Sequence, residues 1–79
     1  MKNLIRDRVE EALNGLLGPD VVGAREVKDC LSGVVTSVSD RYANDIPKGF
    51  KVKKEVNQVG YAIVRSMYGR GTFGNWKLK

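Results

Sequence analysis

A single cysteine and no histidine in 79 residues constrain this chain more than any other feature. One thiol closes no disulfide within the chain, and without histidine a zinc site lacks its usual nitrogen donors. A domain this short hides only a modest share of its unfolded surface. Its stability has to come from close packing of regular elements or from a second subunit. A self-associating chain is therefore expected, most simply a homodimer, with no metal and no cofactor.

The apolar residues say what those elements are. Leu4, Ile5, Val9, Ala12, Leu13, Leu16 and Leu17 recur at three- and four-residue steps, which places them on one stripe of a helix over about 3–17. Asn3 is a candidate N-cap, and Gly18-Pro19-Asp20 stops the helix. Ala24, Val27, Leu31, Val34, Val35, Val38 and Tyr42 predict a second helix over about 24–43, ended by Asn44, Pro47 and Gly49. Gly33 and the β-branched residues lower its intrinsic propensity, so tertiary packing has to hold it.

The last third reads two ways. Val52, Val56, Val59, Ile63 and Met67 are spaced as a helical stripe. Yet Gly60 interrupts it, and Phe50-Lys51-Val52 and Tyr61 to Tyr68 are rich in β-forming residues, with Asn57-Gln58-Val59-Gly60 able to turn between them. The strand reading is preferred, making 50–78 a basic β region. The expected fold class is α+β, with two N-terminal amphipathic helices on a small antiparallel sheet and 1–79 as one domain. An all-α three-helix domain is the alternative.

Charge divides along the same line. Residues 1–47 carry six Lys/Arg against eight Asp/Glu, whereas residues 48–79 carry eight against Glu55 alone. A basic C-terminal half implies an acidic partner such as nucleic acid or an acidic protein surface. Lys51, Lys53, Lys54, Arg65, Arg70 and Lys77 are the candidate phosphate contacts, interleaved with Phe50, Tyr61, Tyr68, Phe73 and Trp76, whose rings can stack on bases. If 53–68 is helical, a basic third helix on two others makes a helix-turn-helix module. If it is a sheet, the lysines instead keep an edge from aggregating.

Catalysis has little to work with. The usual general base is missing, Asp7, Glu10 and Glu11 interleave with Arg6 and Arg8 as a solvated face, and Cys30 lacks a histidine partner. Cys30 is read as a packing residue. Gly69-Arg70-Gly71-Thr72-Phe73-Gly74 has neither Walker nor dinucleotide spacing and reads as a turn or a flexible basic loop. The chain is not expected to be an enzyme. No apolar run is long enough to span a bilayer, and the lone thiol suits a cytoplasmic setting.

Two amphipathic helices, a Pro/Gly hinge, an aromatic-Lys-Val strand start and hairpin pieces ending in tryptophan form an order that resembles the Tctex-type dynein light chains. Leu4-Ile5, Val9 to Leu13, Glu26-Val27, Leu31 to Val35, Val38, Pro47 to Val52 and Phe73-Gly74-Asn75-Trp76 carry the likeness. Lys77 stands where the family has an acidic residue, and the family's last two strands have no counterpart before Lys79, so the likeness is to a shortened or divergent member. It implies a non-catalytic adaptor subunit of a dynein motor complex on microtubules, a cytoskeletal homodimer that holds protein partners or peptides by strand addition. The implied edge is Tyr61, Ile63, Arg65, Met67 and Tyr68. The second expectation is a small basic nucleic-acid-binding or virus-encoded regulatory protein. No membrane partner is expected on either reading.

Overall fold

All three apolar repeats are helices. The computed structural model describes residues 1–79. In it α1 spans Lys2–Asn14, α2 Ala24–Arg41 and α3 Val52–Met67. α1 buries Ile5, Val9 and Leu13, one residue per turn. It stops short of the expected Leu17, because the N–H groups of Leu16 and Leu17 both turn back to the Leu13 carbonyl, at 2.9 and 2.8 Å. α2 buries Val27, Leu31, Val34 and Val38 and gives way at Tyr42 to a short 3-10 turn, Ala43–Asp45.

α3 overturns the preferred reading of the last third. Residues 52–67 are one helix, not two strands with a turn. Its burial falls on Val52, Val56, Gly60 and Val64, four residues apart, while Lys53, Lys54, Ala62 and Arg65 face solvent. A strand would bury every second residue. The β-forming tendency of valine, isoleucine and tyrosine is a weak preference, and burial against two neighbouring helices overrides it. Gly60 is no helix breaker here. A Cβ at this position would lie 2.4 Å from Leu31 Cδ2, so the glycine is what lets α3 press against α2. A turn at Pro47–Phe50, closed by Phe50 N–H to Pro47 C=O at 3.0 Å, leads into the helix. Glu55 in its first turn and Arg65 in its last both suit the helix dipole.

The fold class is α+β, as expected, but the sheet is smaller and lies elsewhere. β1 (Val21–Val22) comes from the α1–α2 loop, which had no strand assigned; β2 (Tyr68–Arg70) and β3 (Trp76–Leu78) form a hairpin directly after α3. The order is β1-β3-β2, antiparallel throughout, with Val22 and Arg70 both opposite Trp76. Twelve buried apolar residues from all three helices, β1 and β2 make a single core. Tyr68 fastens the sheet to it. The ring is 1% exposed, and its hydroxyl accepts from Gly18 N–H (2.9 Å) and donates to the Pro19 carbonyl (2.7 Å), pinning the α1–β1 loop to β2.

Candidate nucleic-acid interface

Because α3 turns its apolar stripe inward, its polar residues line up outward. Lys54, Gln58, Tyr61 and Arg65 follow one another at helical spacing along the outer face, flanked by Lys53 and Asn57 on the side toward α2. Lys53 and Asn57 share a hollow with Lys51, Val35 and Ser39. Asn57 and Tyr61 share a second with Lys28, Ser32 and Thr36 of α2. Tyr61 and Arg65 line the third, a cleft of about 590 Å³ between α3 and the β2–β3 hairpin, closed by Arg70, Asn75, Trp76 and Lys79. None of these three hollows has an Asp or Glu in its wall.

Glu11 lines the hollow between α1 and α2, and Glu55 lines one that it shares with Lys2, Phe50, Lys51, Lys54 and Gln58. The only ion pair in the molecule joins Arg8 to Glu11 at 3.6 Å, so every cation of α3 and the hairpin is unpaired. Arg8 also donates to the Tyr42 hydroxyl at 2.9 Å, which raises the guanidinium's proton affinity, and it takes no part in the basic face.

Aromatic contacts tie the hairpin to the helix. The Trp76 ring lies 6.3 Å from Tyr61, tilted by 36°, and the Arg70 guanidinium sits 6.0 Å from its centre. Such contacts add about 0.5–1.5 kcal/mol each to simple burial. β2 also follows α3 without a linker. Helix and hairpin therefore present one surface.

The expected phosphate contacts are mostly brought together. Lys51, Lys53 and Lys54 share one hollow, and Arg65 and Arg70 share the cleft. Lys77 alternates to the other side of β3 from Trp76 and does not line the cleft; Lys79, not singled out before, does. The expected strand-addition edge is not a strand. Tyr61, Ile63, Arg65 and Met67 lie on α3, and Tyr68 begins β2 with its side chain buried. On a helix these residues spread around the axis: Tyr61 and Arg65 point outward, Ile63 packs half-buried on the core, and Met67 is 43% exposed. Asn57 and Gln58 were passed over as turn residues. The helical register of Lys54, Gln58, Tyr61 and Arg65 was the signal that marks them as an outward polar row. Cys30 is half-buried beside Ala12, and burial pushes its thiol pKa up, as fits a packing residue.

Two helices support a basic third helix, the β2–β3 hairpin stands beside it, and residues 42–51 connect α2 to α3. The chain matches no protein-family model, no curated protein and no solved structure.

Proposed function

We propose that the chain binds duplex DNA, with α3 in the major groove and the hairpin against the flanking backbone. The observation that carries this reading is the unpaired basic face running from Lys51 along α3 to Arg70 and Lys79, on which Glu55 is the one acid. An α-helix fills the major groove, and cations at its margins meet the phosphates on either side. Gln58 on the outer row and Asn57 beside it each offer the donor–acceptor pair that matches an adenine edge, and Lys54 and Arg65 can donate to guanine or to phosphate. The cations, amides and hydroxyls that line these hollows are groups that recognise phosphates and base edges. Strand addition, the binding mode implied by the light-chain resemblance, needs a sheet edge along 61–68, and that span is helix up to Met67.

The test is fluorescence anisotropy with a labelled random-sequence duplex across a salt series. Wild-type chain should bind with an affinity that falls steeply with salt. Lys54→Gln, Arg65→Gln and Arg70→Gln should each flatten the log–log slope by up to about 0.9, one released counterion apiece. Arg6→Gln, on α1 away from this face, should leave the slope unchanged. Absence of duplex binding at about 50 mM salt, or equal slopes for all variants, refutes the reading.

A further inference from the structure

Phe73 is the least explained residue in the molecule. It stands at the tip of the hairpin, 100% exposed, with φ 56° and ψ 33° in the left-handed region. Every other large apolar residue in the chain has at least part of its surface covered. The backbone there favours glycine or asparagine, and a bulky side chain adds strain. The ring makes no contact within the chain that would offset that strain. Folding therefore gains nothing from a phenylalanine at this position.

The loop that carries the ring is firmly built. Gly71 N–H donates to the Asn75 carbonyl at 2.7 Å, and Asn75 N–H donates to the Thr72 carbonyl at 3.1 Å. A Cβ at Gly71 would lie 3.1 Å from the Asn75 carbonyl oxygen, and Gly74 has φ 78°, so glycines at these two places close the loop tightly around the Phe73 tip. The base of the hairpin is braced on α3 through Trp76, Tyr61 and Arg70. The ring is thus held out at a fixed position beside the basic face.

We propose that Phe73 is a wedge whose ring enters a base step of the duplex, in the minor groove next to the major groove that takes α3. The proposal rests on the duplex-binding reading and adds what the hairpin tip does there. Each strand of the hairpin is three residues long, roughly 10 Å, enough to carry the tip past one phosphate strand. Beyond that strand lies the minor groove, where architectural proteins insert apolar side chains between bases and kink the helix. Arg70, at the foot of the loop, supplies the cation for the phosphate strand the hairpin crosses, which makes a polyanion with stacked apolar bases the matching occupant.

The wedge predicts a bend and a preference for weakly stacked DNA. The experiment uses the full chain and a duplex of roughly 24 base pairs with fluorophores at both ends, matched or with a central T·T mismatch. Wild type should raise end-to-end energy transfer and bind the mismatched duplex about tenfold tighter, because a mismatched base is easier to unstack. Phe73→Ala should abolish both effects while binding the matched duplex within about threefold of wild type, and Phe73→Leu should retain part of the bend. Circular dichroism of the free variants should be unchanged, since the ring touches nothing. Duplex binding by wild type without a bend or a mismatch preference overturns the wedge and leaves the duplex reading standing, as does a Phe73→Ala variant that still bends DNA. Loss of wild-type self-association on Phe73→Ala, seen by sedimentation without DNA, also overturns it by giving the ring to a protein contact. Failure of wild type to bind any duplex removes the duplex reading and the wedge with it.

Discussion

Replacing Gly60 with alanine should destabilise the fold, although the same change one helix away should stabilise it. Both Gly60 and Gly33 sit inside helices, and alanine in a helix is favoured over glycine by about 0.8–1.0 kcal/mol. At Gly33 a Cβ meets nothing within 4 Å, so Gly33→Ala should gain that amount in full. At Gly60 the new Cβ would fall 2.4 and 2.7 Å from the two Cδ atoms of Leu31 and 3.1 Å from its Cγ. Leu31 is 1% exposed and cannot swing away into solvent. Relief requires an off-rotamer leucine or a lifted α3, and overpacking of this kind costs about 1–3 kcal/mol. Because the branch carbon is caught as well as the chain ends, the cost lies toward the upper part of that range, leaving a net loss of roughly 1–2 kcal/mol. For a domain of this size that lowers Tm by roughly 4–8 °C per kcal/mol. Thermal and urea unfolding followed by circular dichroism would measure both variants. The contact itself is tested by Leu31→Ala, made in the stabilised Gly33→Ala background. Without the leucine branch, Gly60→Ala should turn from harmful to helpful, a coupling of about 1–3 kcal/mol. Equal stabilisation by Gly33→Ala and Gly60→Ala would refute the close approach of α3 to α2.

Other outcomes follow from single contacts. Tyr68→Phe leaves Gly18 N–H and the Pro19 carbonyl without their partner and should cost about 1–2 kcal/mol in urea unfolding with little change in helix content. Phe73→Gly removes the strain of a left-handed bulky residue, offset by the looser unfolded chain, and should change stability by no more than about 1 kcal/mol; a loss larger than that in calorimetry would mean the ring packs after all. Cys30 is raised by burial, so its contribution is fully present below the ordinary thiol range near about 8.5 and is lost as pH rises through the higher folded value. Stability should therefore be flat through neutral pH and decline only in alkali, with slow alkylation of the folded thiol at neutral pH; rapid labelling at pH 7 without unfolding would contradict this.

Much of the framework was legible in the residues. The three- and four-residue recurrence of Ile5, Val9 and Leu13, and of Val27, Leu31, Val34 and Val38, marks two helices and the face each buries, because only one stripe of a helix can reach a core. The absence of histidine removes the commonest general base and metal ligand before any fold is known. The division of charge at residue 47 likewise locates the basic half, since lysines, arginines and acids can be counted without coordinates.

What the chain could not show locally was the state of residues 52–67. Valine, isoleucine and tyrosine favour a strand, and Gly60 looks like a break, when neighbours along the sequence are all that is considered. The helix wins because α1 and α2 offer a groove that buries Val52, Val56 and Val64, and because a missing Cβ at residue 60 makes room for Leu31, a residue 29 positions away. The same choice decides the candidate site. As strands, Tyr61, Ile63, Arg65 and Met67 would share one sheet face; as a helix, Lys54, Gln58, Tyr61 and Arg65 form the outward row, and Trp76 joins that row to the hairpin. Periodicity belongs to the sequence, but which of two periods is realised depends on long-range burial, and that only the tertiary structure supplies.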